Sequence, residues 1–359
     1  MPFSSADIAV INTPAVLIDL DIARANIARF QAYADQHGLH VRPHIKTHKL
    51  PAIAEMQLAA GAVGITCQKV SEAEAMIAGS SAITDVLITY NIIGEEKLER
   101  LKAVSRKVRL SVVADSEAVV NGLSVAFQGE AGPLSVLVEC DAGANRCGVS
   151  SPEAAVALAR TIHAAPGLVF GGLMTYPPAG AEEGVERFMT AAKAGIEASG
   201  TPVPVVTSGG TPSMMHAAEA PITTEYRPGT YVYNDRSLVA RGVCEYTNCA
   251  LTVLATVVSV PAENRAIIDA GSKTLTSDLL GLTGYGHVLG RDDIAIDQLS
   301  EEHGRLVSSG PIGLAVGDKV RIVPNHACVV TNMVDAVFVF GEGMEAPEVW
   351  PVAARGKIV

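Results

Sequence analysis

Residues 134–176 read LSVLVECDAGANRCGVSSPEAAVALARTIHAAPGLVFGGLMTY. The stretch opens on an apolar run, Leu134–Asp141, passes through a helix-patterned segment, Pro152–His163, and ends on a second apolar run, Leu168–Tyr176. Near-continuous apolar strands separated by an amphipathic helix mark a parallel pair covered by helices. The rhythm continues outward in both directions. Apolar runs precede it at Val41–Thr47, Ala62–Gln68, Asp85–Asn91 and Val108–Asp115, and follow it at Val203–Gly209 and Thr223–Gly229. Helical patterns separate them at Lys49–Ala60, Ser71–Ala78, Gly94–Val104 and Gly184–Ala198. This succession predicts a (β/α)8 TIM-type barrel over residues 21–235, with a doubly wound open sheet as the alternative. Most of the runs end in polar or reactive residues, among them Lys46, Gln68, Asp141, Tyr176, Ser208 and Arg227. Barrel enzymes gather their sites at such strand ends.

Beyond about residue 235 the pattern shortens to strand-like runs at Leu251–Val260, Arg265–Asp269, Lys319–Pro324, Cys328–Asn332 and Ala336–Phe340. A mostly β C-terminal domain is therefore expected over residues 236–359. The N-terminal segment 1–20, with a strand at Ala15–Leu20, is expected to pack with that β domain.

The chain has 359 residues, 48% of them hydrophobic and 18% charged, which supports a large core and excludes disorder. Its 27 Lys and Arg against 38 Asp and Glu give a net charge of −11, unfavourable for nucleic acid or anionic lipid. No apolar run is long enough to span a bilayer. The start, MPFSSADIAVINTP, lacks a basic n-region, and the six cysteines contain no CxxC pair. A cytoplasmic enzyme with ordinary thiols is the expectation.

Arg42-Pro43-His44-Ile45-Lys46-Thr47-His48-Lys49 is dense in cations for a core strand. An inward lysine there suits Schiff-base chemistry, because burial and cationic neighbours lower an amine's pKa. A basic strand end facing water would read the same way. Thr207-Ser208-Gly209-Gly210-Thr211-Pro212-Ser213, opening a helix after the seventh run, has the glycine amides, hydroxyls and helix N-terminus of an anion cradle. Pro228-Gly229-Thr230-Tyr231 lies after the eighth. Arg146 leaves the fifth run, where it can reach a ligand oxygen or pair with Asp141. In Asn325-His326-Ala327-Cys328-Val329-Val330, read as a strand, His326 and Cys328 face the same side. Imidazole and thiolate suit zinc, and two ligands alone leave open positions, as catalytic sites do. A buried cysteine beside a surface histidine is the plainer reading of the same residues.

RPHIKTHK, preceded by TPAVLIDLDIARANI and followed in order by GAVGITCQKVSEAEAM, DAGANRCGV, TSGGTPS, EYRPGTYVYND and PNHACVVTN, resembles the D-threonine aldolase and D-serine dehydratase family. These are fold-type III pyridoxal-phosphate enzymes with an alanine racemase-like N-terminal domain. The resemblance covers most of the chain. It implies that Lys46 binds pyridoxal 5'-phosphate covalently, that Arg146 meets the ring oxygen, and that Gln68 and Tyr176 lie at the ring. Ser208, Gly209, Gly210, Thr211, Gly229, Thr230 and Tyr231 would hold the phosphate. His326 and Cys328 would hold a divalent metal, zinc or else manganese, magnesium or cobalt, and Lys46, Tyr176 and His326 would act in catalysis. His44, His48 and His287 are further acid–base candidates. The implied activity is that of a D-threonine aldolase-like lyase of D-3-hydroxy amino acids, probed against a D-serine or D-threo-3-hydroxyaspartate dehydratase. Family dehydratases carry His and Cys at the metal segment, as this chain does. A racemase or a non-catalytic pyridoxal-phosphate carrier are remoter alternatives. The resemblance also implies a homodimer, with the loop Thr283-Gly284-Tyr285-Gly286-His287 reaching toward the partner.

Overall fold

The computed structural model describes residues 10–359. The first nine residues of the expected N-terminal segment 1–20 lie outside the described residues. The chain begins with strand β1 (Ala15–Asp19) and helix α1 (Leu20–Gln36). Asp19 starts the helix: its Oδ1 accepts from the amides of Asp21 and Ile22, both at 3.0 Å, as an N-cap carboxylate does.

The barrel follows as β2 (His40–Val41), α2 (Pro51–Ala59), β3 (Ile65–Cys67), α3 (Val70–Gly79), β4 (Asp85–Ile88) and α4 (Glu95–Ser105). It continues with β5 (Arg109–Ala114), α5 (Glu117–Phe127), β6 (Leu134–Cys140), α6 (Pro152–Ala164), β7 (Leu168–Thr175), α7 (Glu182–Glu197), β8 (Val206–Ser208) and β9 (Glu225–Tyr226). The eight strands are parallel in the order β2-β9-β8-β7-β6-β5-β4-β3. A parallel bridge between His44 and Thr66 closes the ring, with Val63 N donating to Val41 O (2.9 Å) and Thr66 N to Pro43 O (2.8 Å). The barrel reading holds and the open sheet is excluded. The first strand is much shorter than Val41–Thr47, because Pro43 has no amide to donate and the chain turns into a 3-10 helix at Ile45–Thr47.

Leu87, Val113, Leu137 and Met174, from four neighbouring strands, form an apolar cluster of the barrel. Several buried polar groups of the barrel pair with one another. Arg42 reaches Asp85 at 2.7 Å and Glu225 at 2.8 Å. Thr207 Oγ1 donates to Glu225 (2.8 Å) and accepts from Arg227 Nη1 (2.7 Å), whose Nη2 donates to Thr175 O (2.7 Å). A cavity of about 270 Å³, lined among others by Arg42, Asp85, Arg109, Ser111, Ser135 and Glu225, opens toward the N-terminal ends of these strands. Gly172, at φ +123°, is required where β7 meets the chain entering β8: a Cβ there would lie 2.1 Å from Val205 O.

The remaining elements are α8 (Arg236–Ala240), β10 (Leu251–Ala262), β11 (Arg265–Ile268), α9 (Ser272–Leu275), β12 (His287–Val288) and β13 (Ile294–Leu299). After them come β14 (Gly304–Ser308), β15 (Lys319–Val323), α10 (Ala327–Met333), β16 (Ala336–Phe340) and β17 (Glu348–Pro351). Strands β10, β11, β14, β13, β12 and β15 pair successively and antiparallel, and β15 returns to β10, making a closed antiparallel barrel. β1 extends this sheet, antiparallel to β10 (Ala15↔Leu254) and parallel to β16 (Leu17↔Phe338). Ile11, Ala15, Leu17, Leu254 and Phe340 form an apolar cluster at this extension.

Chain contacts divide the molecule into two compact units. One takes Ala28–Lys46, Pro51–Gly229 and Lys357–Val359 and holds the parallel barrel; the other takes the chain up to Ile27, Thr47–Leu50 and Thr230–Gly356. The division at Gly229–Thr230 precedes the expected boundary at 235, and the first part of α1 goes with β1. No helix among the described residues is long and apolar enough to cross a membrane.

Candidate active site

In the parallel-barrel unit, Lys46 stands on the 3-10 turn that follows β2. Its Nζ lies 5.8 Å from the centroid of the Tyr176 ring, and Arg146 Cζ lies 4.8 Å from the same centroid. Two cations thus converge on one aromatic ring just past the C-terminal end of β7. The other cations of the RPHIKTHK segment are engaged elsewhere. Arg42 serves the carboxylates within the barrel, His44 Nε2 meets Gln68 Oε1 at 3.0 Å, and Lys49 Nζ donates to Ala354 O at 3.2 Å. His48 is fully buried, accepts from Leu50 N and sits edge-on to Tyr233. Lys46 is the cation of this segment that reaches the ring.

Gln68 spends both ends of its amide, on His44 and on Thr89 O (2.8 Å), so it orients His44 two residues before Lys46. The loop after β6 is folded by Asp141, whose Oδ1 accepts from Gly143 N (2.9 Å) and Asn145 N (3.1 Å). Asp141 therefore bonds backbone, and Arg146 lies over Tyr176.

Ser208 ends β8, and the chain turns at Gly209. At φ +152° a Cβ on Gly209 would lie 2.6 Å from Arg227 N, so only glycine fits. Gly210 borders Tyr176: a Cβ there would meet the ring at 3.6 Å. Its carbonyl accepts from Tyr226 Oη at 2.9 Å. Thr211 opens a 3-10 helix, Thr211–Glu219, with Pro212 in its first turn, and its hydroxyl accepts from Gly229 N at 3.2 Å. An amine, a guanidinium, an aromatic face and a glycine-hydroxyl turn at a helix N-terminus form a donor set that fits a phosphorylated aromatic aldehyde.

Glu139, on β6, is only 4% exposed. Burial, then repulsion from Asp115, lifts its carboxyl to about 7 against the pull of Arg146 and Arg227. The sequence carried a signal for it, a lone acid within an apolar strand, which the pattern reading passed over.

In the other unit, His326 and Cys328 come together, but on a helix start instead of a strand. His326 is the N-cap of α10, and Cys328 lies in the first turn. Asp235 holds that start, its Oδ2 accepting from Ala327 N at 3.1 Å and its Oδ1 from Ser237 Oγ at 2.7 Å. This tertiary cap overrides the β-branched run Val329-Val330-Thr331, which favours a strand locally. His326 Nδ1 lies 2.7 Å from Asp278 Oδ2, which fixes the ring and leaves Nε2 as the second nitrogen. Cys328 Sγ lies 3.1 Å from Thr47 Oγ1 and 3.5 Å from Thr230 Oγ1. Burial works against the His326 charge, but the Cys328 sulfur, Asp278 and Asp235 raise its pKa to about 9. Burial likewise opposes the Cys328 thiolate, yet His326 and the two threonine hydroxyls hold the thiol below its ordinary value. A polarised imidazole–thiol pair is a donor set suited to a borderline-soft divalent metal. No group of three or more His, Cys, Asp or Glu that could hold a metal occurs among the described residues, so such a metal would keep open positions. Tyr231 is buried in the turn that carries Thr230. His287 stacks on Tyr246 at 3.8 Å, and burial lowers its pKa. Asp278, Thr47 and Asp235 carry no sequence signal, since each is defined by partners distant in the chain.

The family model described as the alanine racemase N-terminal domain matches residues 18–237, and that of a putative serine dehydratase domain matches residues 250–340. The chain is 35% identical to the D-threonine aldolase of an Arthrobacter species, over 97% of this chain and 94% of the relative. The chain belongs to the alanine racemase-like family of D-threonine aldolase. Within this family, a solved structure of D-threonine aldolase from Filomicrobium marinum superposes with a TM-score of 0.89 at 33% identity, covering 98% of each chain. A cysteine-to-alanine mutant of D-threo-3-hydroxyaspartate dehydratase, solved in a metal-free form, superposes with a TM-score of 0.87 at 30% identity, covering 96% of this chain and 98% of that one. Family members thus include both aldolases and dehydratases.

Proposed function

We propose that the chain is a pyridoxal-phosphate- and divalent metal-dependent lyase of D-3-hydroxy amino acids, cleaving them as an aldolase to glycine and an aldehyde. The observation that carries the reading is the convergence of Lys46 and Arg146 on the Tyr176 ring, beside Gly210 of the glycine turn. Lys46 supplies the amine for covalent attachment, Arg146 a donor for the ring oxygen, and Gln68 and Tyr176 the surroundings of the ring. The turn Ser208–Thr211, with Gly229, Thr230 and Tyr231, holds the phosphate. His326 and Cys328 hold the metal, with Asp278 orienting the imidazole.

When bound, the cofactor withdraws electrons from the substrate's Cα, and the metal polarises its β-hydroxyl. The protein's part is to choose which bond breaks. A base that takes the hydroxyl proton, with Tyr176 and His326 as the candidates, leads to Cα–Cβ cleavage. Lys46, if it takes the Cα proton instead, leads to loss of the hydroxyl and then to a keto acid and ammonia. The second outcome, a D-serine or D-threo-3-hydroxyaspartate dehydratase, is favoured by one residue, Cys328, since the dehydratase relative also has a cysteine, whose alanine mutant is described in a metal-free form. The 35% identity to D-threonine aldolase favours the first.

Incubating holoprotein with D-threonine, D-serine and D-3-hydroxyaspartate, with and without chelator, separates the outcomes. Glycine and aldehyde are expected, lost on chelation; keto acid and ammonia would transfer the assignment to the dehydratase. Borohydride reduction and peptide mapping should place the cofactor on Lys46, and a tag on another lysine refutes the site. Assembly as a homodimer is part of the proposal, with a fully active monomer on sizing as the contrary result.

A further inference from the structure

Two threonine hydroxyls lie on the sulfur of Cys328, Thr47 Oγ1 at 3.1 Å and Thr230 Oγ1 at 3.5 Å. They stand on separate 3-10 turns, Ile45–Thr47 and Thr230–Val232, which precede the cysteine by 281 and 98 residues in the chain. All three residues belong to the unit that holds the antiparallel barrel. Thr47 is fully buried. Its branched Cβ restricts the rotamer, so its hydroxyl stays where the turn places it. Hydrogen bonds inside a protein are electrostatically stronger than those facing water.

Between a thiol and a hydroxyl such a bond can run in either direction. A cysteine that ligates a metal is a thiolate and has no proton to give. Toward a metal-bearing sulfur both threonines must therefore donate. Two donors draw negative charge from the sulfur and weaken the electron pair that it offers to a metal, so the sulfur acts as a harder ligand. Thiolate is the softer member of the His326 and Cys328 pair and favours zinc, whereas manganese and magnesium suit oxygen. Damping the sulfur therefore acts on the choice of metal.

We propose that Thr47, seconded by Thr230, is a positioning residue of the metal centre, whose hydroxyl tempers the Cys328 thiolate and narrows its preference for zinc over harder divalent ions. The inference rests on the metal site proposed at His326 and Cys328. Thr47 acts through the sulfur and is no ligand itself.

The test uses holoprotein stripped of metal with a chelator and reloaded with cobalt(II), each spectrum taken as the difference between loaded and stripped protein. The absorption band that wild type shows and Cys328→Ser lacks is the sulfur-to-cobalt charge transfer. Thr47→Val keeps the shape of the side chain and removes the hydroxyl. It should move that band to longer wavelength, because a sulfur without its donor gives up an electron more easily, and Thr47→Ser should restore the wild-type position. In competition between zinc and manganese(II), Thr47→Val should raise the ratio of zinc to manganese affinity by about tenfold, the lower end of what removing a hydrogen bond to a metal ligand does. Both metals displace the same protons, so the ratio is free of the pH dependence of either affinity. Thr230→Val, with the longer contact, should act in the same direction by less, and it carries the test should Thr47→Val fail to fold. A band that stays in place, or a ratio that does not rise, in both variants overturns the inference and leaves the metal site standing. A wild-type difference spectrum indistinguishable from that of Cys328→Ser overturns the inference and the metal site together.

Discussion

Zinc binding at His326 and Cys328 should tighten as pH rises from 7 to 9, and replacing Asp278 with alanine should weaken it most at pH 9. In the metal-free protein His326 is held protonated up to about pH 9, and the Cys328 thiol is lowered beside it. A metal needs the neutral imidazole and the thiolate, so below that value it must expel a proton. Each pH unit below about 9 costs roughly tenfold in affinity, or about 1.4 kcal/mol, and zinc should bind roughly 100-fold more weakly at pH 7 than at pH 9. Asp278 acts in two opposing ways. Its carboxylate raises the His326 pKa, which aids the competing proton, and it fixes the ring through a 2.7 Å hydrogen bond, which aids the metal. The Asp278 side chain is 43% exposed, which places the orienting effect near the lower end of the usual range, about tenfold. Asp278→Ala should therefore bind zinc about tenfold more weakly than wild type at pH 9, with a smaller difference at pH 7, where less proton competition compensates. Asp278→Asn keeps an acceptor and should stay near wild type at pH 9. Metal-stripped protein titrated with zinc against a chromophoric chelator at pH 7, 8 and 9 measures this. Affinity that is flat across the range, or an alanine variant equal to wild type at pH 9, would falsify the placement of the metal on this imidazole.

Two further outcomes concern the barrel. Arg42→Ala strands Asp85 and Glu225, but Arg109 still reaches Asp85 and Thr207 still donates to Glu225, so the loss should sit near the low end for a broken buried pair, about 3 kcal/mol. Urea unfolding measures it, and a loss under about 1 kcal/mol, as for a surface pair, contradicts the buried-pair account. Glu139 has a folded pKa raised from 4.5 to about 7, so its neutral form is the one the fold accepts. The stability it contributes is full below about pH 4.5 and is lost as pH rises through 7, a change on the order of 3 kcal/mol. Glu139→Gln should gain stability over wild type by that amount between pH 4.5 and pH 8, and an equal difference at both pH values goes against it.

The barrel was legible because buried parallel strands need uninterrupted apolar runs, and runs such as Leu134–Asp141 and Leu168–Tyr176 matched their strands within a residue. Short elements were not. Ile294–Leu299 and Gly304–Ser308 alternate buried with exposed or half-buried residues too briefly to stand out from loop, and they exist through each other's hydrogen bonds. Cys328–Asn332 was misread because local preference for a strand lost to Asp235, a cap supplied from far back in the chain. At the candidate site, Lys46 and Ser208–Thr211 announced themselves through residue type and position. Asp278 could not, since an aspartate in a loop means nothing until its histidine partner arrives.

Strand β1 lies between β10 and β16 in the antiparallel sheet. It leaves the ribosome before its two partners, which are synthesised only after the whole parallel barrel has emerged. The pairing Leu17↔Phe338 thus joins residues far apart in the chain, a long-range closure that slows folding. An expression fragment that starts at residue 236 would lack the ribbon that lies between β10 and β16, leaving two unpaired edges open to aggregation.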